Sequence, residues 1–401
     1  MSWIEVISVG PGDAALLTLA ARQALDRAQE VCCAQRHRAL VPQGVNVIPM
    51  LPLEEALDAL AAQREAGLRT AVLVSGDAGV YSLLNLLAQR FGRDVLRVHP
   101  GVSALQAFFA AMKRPWQEAR VLSAHGRALS PSALCHAVRT SRETVLFLDE
   151  ARDPHWVREV LTRGGLAHAR MTVGERLSYA DERVAAYEPE RDYPSLCMAY
   201  VRNDAPESGL PPIGLSDESF CRGKTPMTKR EIRVQALSAL GLAQDSVVWD
   251  VGAGTGSVTV ECARQCPLGE VFAIERNAQA LELIAENVRR FHLLNVSVVP
   301  GEAPGALAGL KAPTHVFIGG SGAKLDGVLD AVLALPGPVR IAATAVTMES
   351  AARLTERMQA LDDFTAVQLA AARLERVGGH TMLRAQSPVF LFAGTKGEKG
   401  P

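Results

Sequence analysis

Trp249-Asp250-Val251-Gly252-Ala253-Gly254-Thr255-Gly256 decides the fold of the second half of this 401-residue chain. Residues 246–251 form an apolar run that reads as a buried strand, and residues 257–265 continue as a helix. Between them, glycines at 252, 254 and 256 let the backbone turn tightly and let a ligand reach main-chain N–H groups at the helix start. A dinucleotide fingerprint sets its third glycine one place later. Here that place is Ser257, so the spacing suits a nucleoside without a pyrophosphate. The next strand, 270–274, runs into Glu275-Arg276, about twenty residues on, where a carboxylate can accept both ribose hydroxyls.

Outward from this turn the pattern stays α/β. A helix is expected over 228–240, with Thr228 as its cap and Glu231 at the third helical position, the spacing of a capping box. A helix over 278–291 and strands at 296–299, 315–318 and 388–392 follow, the strand at 315–318 ending in Gly319-Gly320-Ser321-Gly322. The whole reads as a doubly wound, Rossmann-like domain. Two basic stretches flank the turn. The first, Cys221-Arg222-Gly223-Lys224-Thr225-Pro226-Met227-Thr228-Lys229-Arg230-Glu231-Ile232-Arg233, is either a solvated helix start or a lip over an acidic substrate. The second places Arg373, Arg376, His380 and Arg384 around Gly378-Gly379, either an exposed hairpin or a grip on carboxylates.

The first half alternates strands (4–9, 71–75, 95–99) with helices (16–28, 81–89, 103–112), which implies a largely parallel sheet. Three turns follow strands there: Gly10-Pro11-Gly12-Asp13, Ser75-Gly76-Asp77 and Pro100-Gly101-Val102-Ser103-Ala104. Each alone is a common turn; three at the carboxyl ends of parallel strands build one crevice. A second subdomain is expected from about 119–123, with strands at 144–148 and 198–201. The polar, Pro- and Gly-rich stretch 203–212 marks the boundary, giving domains 1–204 and 213–401 with a linker at 205–212.

With 48% hydrophobic and 21% charged residues and a net charge of −1, the composition is that of an ordinary globular protein. No field or basic stripe points to nucleic acid. No apolar run reaches the length of a membrane span, and the N-terminus lacks a secretory pattern. The seven cysteines include no Cys-x-x-Cys pair, so buried free thiols in the cytoplasm are expected and no metal site. No Ser/His/Asp or Cys/His arrangement stands out. His99 and His125 are the histidines of the first half that suggest acid–base work, and a lone histidine is more often structural.

The second half, from Asp250 through the glycine turn to Glu275, resembles the class I methyltransferases that use S-adenosylmethionine. The first half resembles the tetrapyrrole methylases, or class III methyltransferases, through Asp13, Leu16, Leu17 and Thr18 and through Ser75-Gly76-Asp77, where Ala78 replaces a frequent proline. Ser123-Ala124-His125-Gly126-Arg127 and Gly174-Glu175-Arg176-Leu177-Ser178-Tyr179 resemble the branch acting late on the corrin ring. As a fusion, the chain is similar to the bifunctional methyltransferase–decarboxylases of cobalamin biosynthesis.

That resemblance implies methylation of a precorrin tetrapyrrole at ring carbons 5 and 15, with decarboxylation of the acetate on ring carbon 12. Carbon 5 would be the work of the first domain and the rest that of the second. It further implies S-adenosylmethionine at two sites and a homo-oligomer. Carried over, the first donor site would use Pro11, Ser75, Gly76, Asp77, Val80, Ser103 and Ala104. The second would use Thr228, Gly252, Ala253, Gly254, Thr255, Gly256, Glu275 and Ala303, with Glu302 where an Asp is common. Lys229, Arg230, Arg233, Arg376 and His380 are the candidates for holding substrate carboxylates during decarboxylation. Cobalt-containing intermediates of the anaerobic route remain an alternative substrate, as do a nucleic-acid methyltransferase and a donor-binding regulator as alternative functions.

Overall fold

The computed structural model describes residues 3–125, 128–320 and 324–398. Gly126, Arg127, Ser321 and Gly322, singled out above, lie outside the described residues. The chain divides into two compact units, one made of Met1–Leu129, Ala137–Glu159 and His168–Pro206, the other of Ser130–His136, Val160–Ala167 and Glu207–Pro401.

The first unit holds two sheets. One contains β1 (Ile4–Ser8), β2 (Glu30–Cys33), β3 (Asn46–Pro49), β4 (Thr70–Val74) and β5 (Leu96–His99), in the order β3-β2-β4-β1-β5. All its pairings are parallel. Helices α1 (Leu19–Asp26), α2 (Leu53–Glu65) and α3 (Leu84–Phe91) lie in its crossovers, and α4 (Ala104–Ala111) leads on to the next sheet. The centre of this sheet is apolar on both faces, as a parallel sheet covered by helices requires: β4 is buried at all five positions. The second sheet contains β6 (Arg120–Ser123), β7 (Glu143–Phe147), β8 (Arg170–Glu175), β9 (Arg183–Ala186) and β10 (Cys197–Arg202), ordered β6-β7-β10-β8-β9, with α5 (Pro131–Thr140) and α6 (Pro154–Arg163) in its connections. Only its β6–β7 pairing is parallel. Phe108 and Phe109 of α4 pack with Val145, Met198 and Tyr200 to join the two subdomains.

The second unit carries a seven-stranded sheet. Its elements run α7 (Arg230–Leu240), β11 (Val247–Val251), α8 (Ser257–Gln265), β12 (Glu270–Glu275), α9 (Ala278–Arg290), β13 (Val296–Pro300), β14 (His315–Ile318), α10 (Leu325–Leu333), β15 (Val339–Ala345) and α11 (Met348–Met358), then β16 (Asp362–Leu369), β17 (Ala372–Val377), β18 (His380–Ala385) and β19 (Val389–Lys396). The order is β13-β12-β11-β14-β15-β19-β16, parallel as far as β15. The last strand inserts antiparallel between β15 and β16. The order reverses beside β11, and the glycine turn lies at that switch point, where ligands bind in such sheets.

Three boundaries differ from expectation, each for a local reason. Leu16 does not open α1. The Asp13 side chain caps a short 3-10 turn at Ala14–Leu16, and the Thr18 side chain then caps α1 by accepting from the Ala21 N–H. The helix expected from 81 starts at Leu84, because Tyr81 sits at a φ of 47°, outside the helical region. Finally, α7 starts at Arg230, not Thr228, and no capping box forms. The Arg230 N–H is instead satisfied by Asp217 Oδ1 at 3.0 Å, while Glu231 turns to Arg373.

Candidate active sites

In the first unit the three turns meet. Gly10 and Gly76 exchange backbone hydrogen bonds, of 3.2 and 2.8 Å, which ties the ends of β1 and β4. Asp77 bridges to the third turn: Oδ2 accepts from the Gly101 N–H at 2.9 Å and Oδ1 from the Gly79 N–H at 2.8 Å. Ser103 caps α4 with a complete capping box to Gln106. The Asp13 N–H donates to Ser178 Oγ at 3.1 Å, and a Cβ at Gly12 would lie 2.3 Å from the Tyr179 ring. Two of the segments that carry the tetrapyrrole-methylase resemblance are thus in contact.

These turns form one wall of a cavity of about 820 Å³. Pro11, Ser75, Gly76, Asp77, Val80, Ser103 and Ala104, all seven residues nominated for the first donor site, line it. His125 lines it too, whereas His99 is held by Glu5 at 2.6 Å on β1 and β5. Arg36, His37, Arg38, Tyr81, Arg176 and Tyr179 line the same cavity. Arg36 and His37 were not among the candidates. Their only sequence signal is the basic run Arg36-His37-Arg38 just past the carboxyl end of β2.

In the second unit the glycine turn is shaped for close approach. A Cβ on Gly252 would stand 2.2 Å from the Gly320 carbonyl oxygen, so the turn after β14 presses on the turn after β11. Glu275, at the end of β12, accepts from the Gly254 N–H at 2.9 Å, and its other oxygen accepts from Arg276 and Asn277 N–H groups. Asn287 of α9 donates to the Thr255 carbonyl at 2.9 Å and to the Cys221 carbonyl at 3.0 Å. This stitches the start of the first basic stretch to the turn. Pro226 continues it to within 3.2 Å of where a Gly254 Cβ would stand. Ala303 is buried beside this end of the sheet, and Glu302 is engaged by Arg276 and Lys324 at 2.5 Å each.

Two buried polar atoms at this turn, Asp250 Oδ1 and Thr255 Oγ1, have no hydrogen-bond partner. Buried polar groups are nearly always paired, so the pair suits a polar ligand seated at the turn. Burial pushes the Asp250 carboxyl up to about 7, despite a 2.5 Å hydrogen bond from Thr259 Oγ1 and with a further push from Glu275.

The basic candidates separate. Lys229 is half-buried and Arg230 exposed at the start of α7. Arg376 and His380 are exposed on the β17–β18 hairpin. Arg376 pairs across with Thr381 and Val377 with His380. Because successive residues of a strand alternate faces, Arg376 and His380 lie on opposite faces of the hairpin and do not form one wall.

Arg233 must be withdrawn as a substrate ligand. It is 0% exposed, and its guanidinium bonds Glu261 at 3.0 Å, Asp217 at 3.2 Å, the Thr228 carbonyl at 2.7 Å and the Leu215 carbonyl, over the Phe220 ring. Thr228 offers that carbonyl to Arg233 from the edge of the site. Arg373, at the base of the hairpin, is likewise committed, to Glu231 at 2.7 Å and Asp217 at 3.0 Å. Burial pushes the Asp217 carboxyl up, but hydrogen bonds from Arg373 and Arg233 win and hold it below its ordinary value.

Among the described residues no three or more His, Cys, Asp or Glu side chains gather where a metal would bind. Among them, too, no helix is long and apolar enough to cross a membrane. All seven cysteines are free thiols.

The chain's similarities follow the same division. Residues 4–188 match the tetrapyrrole (corrin/porphyrin) methylases, and residues 219–396 match a precorrin methyltransferase domain. A Sinorhizobium sp protein named precorrin-6Y C(5,15)-methyltransferase [decarboxylating] is 31% identical over 98% of this chain and 97% of its own length. A Mycobacterium tuberculosis protein of the same name is 30% identical over 98% of this chain and all of its own length. A cobalt-precorrin-6B C(15)-methyltransferase (decarboxylating) of Salmonella typhimurium is 39% identical over 46% of this chain and 97% of its own length. With whole-chain likeness of this degree beneath two separate strand-end crevices, the chain belongs to the precorrin-6Y C(5,15)-methyltransferase (decarboxylating) family.

Proposed function

We propose that this chain is an S-adenosylmethionine-dependent methyltransferase of cobalamin biosynthesis. It methylates a precorrin at ring carbons 5 and 15 and removes carbon dioxide from the acetate on ring carbon 12, giving precorrin-8. The observation that carries this reading is that each unit has its own crevice at the carboxyl ends of parallel strands, built from different motifs. Residues 1–204 methylate carbon 5, residues 213–401 methylate carbon 15 and decarboxylate, and residues 205–212 link them.

A sulfonium donor supplies an electrophilic methyl group, one in each unit. In the first unit the turns at Pro11, Ser75–Asp77 with Val80, and Ser103–Ala104 hold it. In the second, Gly252–Gly256, Glu275 and Ala303 hold it, with Thr228 at the rim; Glu275 takes the ribose, and the orphaned Asp250 and Thr255 oxygens gain a polar partner. The ring carbons attack as enamine-like nucleophiles, so the protein's work is alignment and exclusion of water. Lys229 and Arg230 meet the substrate's carboxylates, together with Arg376 from one face of the hairpin or His380 from the other. Decarboxylation leaves an electron pair that the protonated conjugated ring accepts.

The relatives matching the whole chain favour the metal-free substrate, and the half-length relative named for cobalt-precorrin favours the cobalt-containing one as the second reading. The hairpin exposes Leu374 and Leu383, each 70% accessible and paired across its two strands, which supports self-association through this arm. The free thiols fit a reducing cytoplasm.

Incubating the full chain with donor and either metal-free or cobalt-containing precorrin tests the reading. Mass spectrometry is expected to show the gain of two methyl groups and the loss of carbon dioxide. Calorimetric titration is expected to return two donor molecules per chain. A stoichiometry of one or none overturns the two-site reading. Light scattering that reports a monomer overturns self-association.

A further inference from the structure

Methyl transfer to an unsaturated ring carbon leaves a hydrogen to be removed. The carbon–carbon bond forms as the sulfonium carbon–sulfur bond breaks, its electron pair going to sulfur. The ring's conjugation then returns only when the carbon–hydrogen bond breaks and leaves its pair in the ring. The first unit therefore needs a group that accepts a proton inside its cavity.

One cluster in that wall is oriented for it. Ser75 Oγ lies 2.7 Å from His37 Nε2 and accepts from Arg36 Nη2 at 2.7 Å. Arg36 Nε also points its hydrogen at His37 Nε2, at 3.3 Å. A guanidinium can only donate, so His37 Nε2 is the acceptor of both and the Ser75 hydroxyl hydrogen is directed at it. His37 is 4% exposed, while Ser75 is open to the cavity. Burial first, and then the Arg36 charge, push the His37 imidazole down to about 4, so it stands neutral with a lone pair available. Arg38, Asp77 and the Cys33 thiol line the same cavity, and burial pushes that thiol up into its neutral form. No carboxylate among the described residues bonds the cluster.

We propose that Ser75 and His37 are the proton-accepting pair for methylation at ring carbon 5, with Arg36 as their positioning residue. The inference rests on the reading that this cavity methylates carbon 5. Ser75 Oγ takes the ring hydrogen as a proton while its own hydroxyl proton passes to His37 Nε2. The imidazolium so formed beside Arg36 is unfavourable, and it releases the proton to solvent and resets the pair. General-base catalysis of this kind is worth about 10²-fold or more.

The test uses the full chain, so that carbon 15 methylation in the other unit reports folding and donor quality in the same tube. His37→Gln and Ser75→Ala are each expected to lower carbon 5 methylation about a hundredfold, with carbon 15 methylation unchanged in both and the first site's donor affinity unchanged in His37→Gln. In His37→Gly, added imidazole is expected to restore carbon 5 methylation in proportion to its concentration, which a purely structural histidine would not show. Carbon 5 methylation within twofold of the unsubstituted chain in His37→Gln, or no response of His37→Gly to imidazole, overturns the pair. So does a loss of donor affinity in His37→Gln that accounts for the lost rate. An unsubstituted chain that leaves carbon 5 unmethylated overturns the functional reading itself, and is told apart by needing no variant.

Discussion

The Glu275 carboxylate accepts the Gly254 N–H at 2.9 Å, so the end of β12 and the middle glycine after β11 are braced against each other. The brace is charge-assisted, and such bonds are roughly twice as strong as neutral ones. Glu275→Gln keeps the shape but loses the charge and one acceptor. Donor affinity in the second unit is expected to fall about tenfold, equivalent to about 1.4 kcal/mol, with the first site unaffected. Calorimetry on the full chain reads both sites at once.

Gly252→Ala should act through contact and through backbone strain, since Gly252 holds a φ of 75°. The added carbon would meet the Gly320 carbonyl at 2.2 Å, and both turns are anchored by backbone hydrogen bonds, Gly252 N–H to the Ile274 carbonyl and Gly320 N–H to the Val251 carbonyl. Donor stoichiometry is expected to drop from two to one, with carbon 15 methylation and carbon dioxide release lost and carbon 5 methylation kept. Mass spectrometry of the products checks it.

Arg233 and Arg376 should part company. Arg233→Ala strands Glu261 inside the protein without a counter-charge and leaves Asp217 with Arg373 alone, a loss of about 3–5 kcal/mol visible in chemical denaturation of the second unit. Arg376→Ala removes an exposed side chain and is expected to leave stability unchanged while slowing decarboxylation. Equal stability of the two variants would show the Arg233 network to be dispensable.

Asp250 sets a pH dependence of definite sign. Its carboxyl lies at about 7 in the folded chain, pushed up by burial from an ordinary 3.8. Between those values the folded state holds a proton that the unfolded state has lost, so stability falls as pH rises. The full contribution is present below about 3.8 and is gone above about 7. Asp250→Asn cannot ionise, so its stability relative to the parent should grow by a few kcal/mol between pH 4 and pH 8. Denaturant titration at several pH values measures this.

The two strand-end crevices are legible because turns are local: Gly252 to Gly256 and Ser75 to Asp77 announce themselves within a few residues, and strand alternation places them at one edge. Arg233 was misread because its partners, Asp217 and Glu261, stand 16 and 28 positions away, and no spacing rule links them. Near a helix start a charged side chain normally reads as solvated. His37 was overlooked for the same reason, since Ser75 is 38 positions off. The α1 boundary failed differently: Leu16 keeps helical period, yet Asp13 and Thr18 each offer a cap, and the backbone uses both. The opposed faces of Arg376 and His380 follow from strand parity, once the Gly-Gly turn is taken as a hairpin.

Glu261 gathers the N–H groups of Gly214 and Leu215 as well as Arg233. The stretch resembling other precorrin methyltransferase domains begins only at residue 219. A catalytic fragment trimmed to that inherited outline would discard Gly214, Leu215 and Asp217 together, leaving Glu261 without its amides and Arg233 without half its cage. The smallest self-sufficient piece therefore starts at or before Gly214, several residues ahead of where ancestry alone would draw the line.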